Sequence, residues 1–440
     1  MLDVGCCTNR AAIEGVMAIE YVPRIADGQL LDRLAALGAV VIEGPKACGK
    51  TATARRRAAS EVLLDVDVEA MRAVAVDPRL VLDGPSPRLI DEWQRGPRVW
   101  DAVRRAVDDR SAPGQFILTG SATPNDDAAR HSGAGRISVM RMRPMTLFEQ
   151  GYSTGQMSLA ALMSGEAPDA TRSALTLGAY AERIVVGGWP QLLEAQPTVA
   201  MQFIRDYLDT IVEHDIDAVS GARRDPRLVR RFLHAYAQLT AHPARLSTII
   251  ARAHGGDFEG ADDDPGGLTR WSAEPYLRAL RRMMIVDEIE AWSPSLRSRS
   301  RLISLPKRLL VDPSLAAGLL DCSPERLLGD LNTLGFLFES LAARDLRIYA
   351  EASGGQVFHY RESSGDLEVD LVVEQSDGRW AGFEVKLGGD LVDEAAAALL
   401  HLARTRVSVA PSALVVITGT EYAYRRPDGV WVLPLGCLGP

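Results

Sequence analysis

The chain is 440 residues long, 47% of them hydrophobic and 24% charged, a balance that excludes wholesale disorder and favours two or three folded domains. Its net charge of −9 excludes a global attraction for nucleic acid, so binding of that kind has to come from local patches. Cys6, Cys7, Cys48, Cys322 and Cys437 show neither CxxC nor Cys/His ligand spacing, and the longest apolar runs, such as 413–417, fall far short of the roughly 20 residues a membrane helix needs, so a cytoplasmic protein with free thiols and no membrane partner is expected.

Residues 1–16 carry no usable periodicity and read as a tail. From there the pattern is a helix over 30–37, an apolar strand over 39–43, a glycine-containing loop, a helix over 52–60 and a strand over 61–66. Strands at 88–90 and 115–118 follow, with an amphipathic helix over 98–108 between them. This alternation predicts an α/β domain over 17–155, with a parallel sheet and helices on both faces. The Ser-, Gly- and Met-rich stretch 151–170 reads as a boundary. A helical, winged-helix-like connecting region is expected over 175–324, interrupted by a Gly/Asp-rich loop at 255–267. A mixed α/β domain is expected over 325–440: a helix at 331–346, strands near Val357, Val369 and Phe383, a helix at 393–404 and a strand at 413–417.

The strand at 39–43 runs directly into Gly44-Pro45-Lys46-Ala47-Cys48-Gly49-Lys50-Thr51, which matches G-x-x-x-x-G-K-[ST] without a gap. The chemistry explains the spacing. Backbone N–H groups cradle phosphates at a helix N-terminus, Lys50 reaches the β and γ phosphates, and the Thr51 hydroxyl ligates Mg²⁺. ATP and Mg²⁺ are therefore the expected ligands. Leu89-Ile90-Asp91-Glu92 ends a strand in two acids, with Asp91 in the role of Mg²⁺ partner and Glu92 in that of general base. Thr119 and Ser121 stand at the next strand end, where a polar group reaches between γ phosphate and water. Arg136 is a candidate to neutralise transition-state charge, from its own subunit or, in a homo-oligomer, from a neighbour.

These stretches, together with Arg143-Pro144-Met145-Thr146-Leu147-Phe148-Glu149, resemble the bacterial and archaeal AAA-type ATPases that carry a C-terminal domain of unknown function. The similarity covers residues from about 17 to 440. It implies that the P-loop, the strand-end acids and the polar strand end serve ATP hydrolysis, and that the C-terminal part has a restriction-endonuclease-like fold.

In that C-terminal part Glu339, Asp370, Glu384 and Lys386 follow the E…D…E-x-K order of PD-(D/E)XK, restriction-endonuclease-like nucleases. Residues 384 and 386 share one face of a strand because side chains alternate. Asp370 and Glu384, completed by Glu339, form a candidate Mg²⁺ site with Lys386 beside it. A retained fold with a structural acid cluster fits the same residues. Between the domains Arg278, Arg281, Arg282, Arg297, Arg299, Arg301, Lys307 and Arg308 outnumber Asp287, Glu288 and Glu290, a local reversal of sign that suits DNA phosphates. Three readings follow: an ATPase coupled to a nuclease-like, nucleic-acid-binding domain, an ATP-dependent DNA nuclease, and an ATP-gated switch for a protein partner.

Overall fold

Val40, Val41 and Ile42 are β-branched and fully buried, and with Ala39 and Glu43 they form the strand β1 (Ala39–Glu43). The computed structural model describes residues 21–121, 132–168, 170–221, 223–254, 267–295, 305–362, 365 and 367–440; the tail at 1–16 with Cys6 and Cys7, and Arg297, Arg299 and Arg301, lie outside them. Strands β2 (Ser60–Leu63), β3 (Arg88–Asp91), β4 (Phe116–Gly120) and β5 (Ile137–Arg141) complete a sheet of order β2-β3-β4-β1-β5, parallel throughout. Its helices are Ile25–Ala36, Lys50–Arg55, Val68–Val76 and Arg98–Arg110.

Alternation along the strands divides the burial. Ala39, Val41, Ile90, Phe116 and Leu118 pack with Trp93, Trp100 and Val103 on one face. Val40, Ile42, Leu89, Ile117 and Met140 point to the other face, where the same core continues through Leu30 into the connecting region and the C-terminal helix and sheet. The N-terminal sheet is thus built into the rest of the protein across one whole face.

The stretch expected to be a boundary is structured and belongs to two sheets. β6 (Met157–Ser158) pairs with residues 438–439, and β7 (Ala170–Arg172) is an edge strand of the C-terminal sheet. The connecting region comprises Leu177–Val186, Pro197–Thr210, Pro226–Gln238, Leu246–Ala253, Arg270–Arg282 and Pro313–Leu319. A π-helical turn, Ile211–Asp215, carries the second of these into Ile216–Ser220. Residues 285–292 form isolated bridges, antiparallel from Val286 to Leu310 and from Ile289 to Lys307, and parallel from Ala291 to His359.

The C-terminal unit begins with the helix Leu331–Ala352, then β8 (Gln356–Arg361), β9 (Glu368–Glu374), β10 (Trp380–Lys386), the helix Val392–Thr405 and β11 (Ala413–Thr418). β12 (Tyr422–Arg425), β13 (Trp431–Pro434) and β14 (Leu438–Gly439) were not foreseen. The sheet order is β7-β12-β13-β11-β10-β9-β8, with β10 parallel to β11 and antiparallel to β9. Among the described residues no helix is long and apolar enough to cross a membrane.

Candidate functional site

The loop Gly44 to Thr51 leaves the C-terminal end of β1 and turns into the helix Lys50–Arg55. Gly44 is required there, since a Cβ would run into the Met142 carbonyl. Ala47 (φ 62°) and Gly49 (φ 101°) are both left-handed, which folds the loop into a cradle of backbone N–H groups. Lys50 is buried and its Nζ donates to the Pro45 carbonyl at 2.8 Å, closing the loop on itself.

Because β4 lies between β1 and β3, Thr119 stands beside the strand-end acid. Thr51 Oγ1 donates to Asp91 Oδ1 at 2.8 Å, and Thr119 Oγ1 donates to the same oxygen. Glu92 holds a left-handed backbone, φ 52°, a strained state for a non-glycine residue that recurs at functional sites. Its carboxylate accepts from Gln94 Nε2 and from Ser121 Oγ at 3.4 Å. A cleft of about 590 Å³ opens over these groups, lined by Lys50, Thr51, Glu92, Arg95 and Ser121 together with Tyr21, Pro190 and Gln191. A hydroxyl and a carboxylate converging at a P-loop are hard oxygen donors that fit Mg²⁺. Arg136 is elsewhere. It precedes β5 at the opposite end of the sheet, where its carbonyl accepts from Ala39 N and its side chain pairs with Asp108 at 2.8 Å. A strand of five residues, about 16 Å long, separates it from the cleft of its own chain.

Residues 37–150 match the family model of an AAA domain. The N-terminal sheet is therefore an AAA-type, ATPase-like region. Residues 177–326 match a domain of unknown function (DUF8612) and residues 334–438 another (DUF4143). An uncharacterized protein of Mycobacterium bovis is 28% identical over 354 residues, covering 79% of this chain and 70% of its own length, and an uncharacterized protein of Mycobacterium tuberculosis shows the same values. Among solved structures, Drosophila ORC bound to DNA (14% identity, 73% of this chain and 96% of that chain, TM-score 0.22) and protein VC1899 of Vibrio cholerae (11%, 90% and 94%, TM-score 0.19) are too distant to inform the fold.

The AAA-type region is joined to the C-terminal helix by buried ion pairs that sequence reading did not foresee. Arg24 donates to the Cys48 carbonyl of the P-loop at 2.9 Å, to Glu149 at 3.0 Å and to the Arg143 carbonyl at 2.8 Å. Arg143 reaches Asp287 and, at 2.7 Å, Glu351. Leu147 N donates to Asp345 Oδ2 at 3.0 Å, and Arg344 binds both Asp345 and Asp312. Burial raises the Asp345 carboxyl to about 6 against the pull of Arg344. The segment Arg143 to Glu149, part of the family resemblance, is thus the joint itself. Lys46 adds a second tie, from its Nζ to Asp215 on the π-helical turn at 2.7 Å.

The C-terminal acids come together as the strand alternation requires, but a lysine sits among them. Lys307, 1% exposed, places Nζ 2.5 Å from Glu339 Oε1 and 3.3 Å from Asp370 Oδ1. Lys386 lies 2.7 Å from Glu384 and 3.5 Å from Asp370. Burial and the neighbouring Asp370 raise Glu339 and Glu384 to about 8 each. Burial also raises Asp370, but Lys307 and Lys386 outweigh it and hold that carboxyl below its usual range. Among the described residues no three of His, Cys, Asp and Glu are gathered as a metal ion requires. The two lysines thus sit among the acids in a buried cage of ion pairs, Lys307 with Glu339 and Asp370, and Lys386 with Glu384 and Asp370.

The described cations of the expected basic patch are engaged in the same way. Lys307 is inside that cage, and Arg308, buried, pairs with Glu288 and donates to the Ala244 carbonyl at 2.8 Å. Arg281 also takes Glu288, and Arg282 donates to the Val219 carbonyl at 2.8 Å. Arg278 remains exposed, 3.8 Å from Glu274. Charges adjacent in sequence point to different partners in the fold.

Proposed function

We propose that this chain binds ATP with Mg²⁺ between Gly44 and Thr51 and hydrolyses it, with the C-terminal unit serving as a scaffold whose position follows the nucleotide. The observation that carries the reading is the meeting of Thr51, Thr119 and Asp91 around one carboxylate oxygen, with Glu92 beside the P-loop. Backbone N–H groups and Lys50 would hold the phosphates once Lys50 leaves the Pro45 carbonyl. Thr51 would ligate Mg²⁺ with Asp91 holding its water shell, and the metal would offset charge on the phosphates. Glu92 would take the proton of the attacking water, oriented by Ser121 and Gln94. Arg136 could contribute only from a second copy, which ties that role to a homo-oligomer. Phosphate release from ATP by the wild type and by Lys50→Ala tests the reading: Mg²⁺-dependent turnover lost in the variant is expected, and turnover that persists in Lys50→Ala sinks it.

Of the three roles for the C-terminal unit, the lysine cage favours the switch that acts without DNA chemistry. The helix, three antiparallel strands, helix and parallel strand in order support a likeness to the restriction-endonuclease-like fold. Lys307 within the acids supports a site that does not cut.

A further inference from the structure

A second cavity adjoins the cleft over the P-loop. It encloses about 460 Å³ between the residues that follow β3 and β4 and the connecting region, and Lys46, Glu92, Arg95 and Ser121 line both spaces. Those four side chains are therefore a partition, with the P-loop on one side and Asp215, Val219 and Arg282 on the other. The candidate base stands in the partition itself, so the second cavity begins where the chemistry would end.

Its lining suits an anion that also carries a proton. Lys46 is taken by Asp215 at 2.7 Å, so Arg95 and Arg282 are the cations set against the Glu92 carboxylate. Arg282 Nη1 donates to the Val219 carbonyl at 2.8 Å, which anchors that guanidinium in the wall. Asp215 ends the π-helical turn Ile211–Asp215, a helical irregularity that recurs at functional sites. Its Oδ1 accepts from Lys46, while its Oδ2 is buried with no hydrogen-bond partner among the described residues. Gln94 Oε1, facing the cavity from the AAA-type region, is in the same condition. A buried acceptor without a donor is costly and points to a polar occupant. Monohydrogen phosphate meets both features, since its oxygens accept from guanidinium groups and its one O–H donates to a carboxylate. A cavity of this size holds it together with waters.

We propose that this cavity is the release chamber for inorganic phosphate: the phosphate split from ATP beside Glu92 passes the partition, is received by Arg95, Arg282 and Asp215, and leaves along the connecting region while ADP still fills the P-loop cleft. The proposal rests on the ATP-hydrolysis reading above. Its consequence is that phosphate departure is felt by the π-helical turn as well as by the P-loop, because Asp215 is tied to Lys46.

Total phosphate in acid-quenched samples and free phosphate reported by a fluorescent phosphate sensor, followed through the first turnover of the full chain with Mg²⁺-ATP, separate cleavage from release. Ala218→Asp puts a carboxylate on an exposed residue of the lining, and Val219→Trp fills the chamber. In both variants cleavage is expected at the wild-type rate, with release slowed about tenfold. Inorganic phosphate should also inhibit steady-state turnover about tenfold more weakly in Arg282→Gln than in the wild type. Free phosphate that keeps pace with cleavage in both lining variants overturns the chamber and leaves hydrolysis standing, whereas absence of cleavage in the wild type removes the hydrolysis reading on which it rests. Cleavage slowed as much as release would assign these positions to packing and would also overturn the proposal, as would unchanged inhibition in Arg282→Gln.

Discussion

Asp91 accepts hydrogen bonds from two threonines, Thr51 in the first turn of the helix Lys50–Arg55 and Thr119 in β4, while Glu92 beside it is held in a left-handed backbone. The two neighbouring acids therefore face different tasks: one is tied to the hydroxyl expected on the metal, the other lines the open cleft. Glu92→Gln is expected to keep ATP binding and lower turnover by about 10²–10⁴-fold, since only the transition state needs the base. Single-turnover phosphate release alongside equilibrium ATP binding checks it, and unchanged turnover would remove Glu92 from that role. At the other end of the chain Glu339 and Glu384 titrate near 8 in the folded protein, above their unfolded values. A carboxyl whose pKa is higher when folded binds its proton more tightly in the native state. Its contribution to stability is complete below an unfolded value of about 4.3 and is lost as the pH rises through about 8. Asp370 has the opposite sign, present above its unfolded pKa and constant across this window. The denaturation midpoint should therefore fall as the pH rises from about 4.3 to about 8, and Glu384→Gln should flatten that slope; a slope unchanged in the variant would contradict the assignment.

At the scale of elements, the helix Leu331–Ala352 has a part in both halves of the protein. Glu339 reaches into the acid cage, while Arg344 and Asp345 take hold of Asp312 and of the turn at Leu147. Lys307→Met tests the cage, because removal of a buried cation leaves its acids facing one another. At pH 8 the variant should lose about 3–5 kcal/mol of stability by urea denaturation. At pH 5, where Glu339 and Glu384 are protonated, the loss should be clearly smaller. Equal losses at the two values would show that Lys307 acts through packing. At the other joint, Arg24→Ala should cost a similar amount, about 3–5 kcal/mol, because Glu149 is left buried without its guanidinium and the Cys48 carbonyl loses its donor. Arg24→Lys should recover only part of that, since an ammonium cannot reach three acceptors in the guanidinium's fork geometry.

For the whole molecule, the core that runs from one face of the N-terminal sheet into the C-terminal unit makes independent motion of the two costly, so nucleotide occupancy should register at a distance. With the acid cage closed and Arg308 and Arg281 engaged by Glu288, duplex DNA should neither be cut nor stimulate ATP turnover. Gel analysis of plasmid DNA with Mg²⁺ or Mn²⁺, run beside a phosphate-release assay, is the check, and cleavage lost in Lys386→Ala would overturn it. The sequence by itself determined the P-loop, the strand β1 to the residue, the strand-end acids and the polar strand end, because those depend on local spacing and on alternation over a few residues. It also placed Glu384 and Lys386 on one face of a strand. What those charges do was decided only by the tertiary structure. The basic stretch that includes Lys307 and Arg308 reads in sequence as a face for DNA phosphates, and Glu339 and Asp370 as part of a separate candidate Mg²⁺ site; the fold pairs Lys307 with those two acids and Arg308 with Glu288. A charge in sequence has no direction; burial removes water as an alternative partner, and only the packing of distant elements settles which opposite charge replaces it.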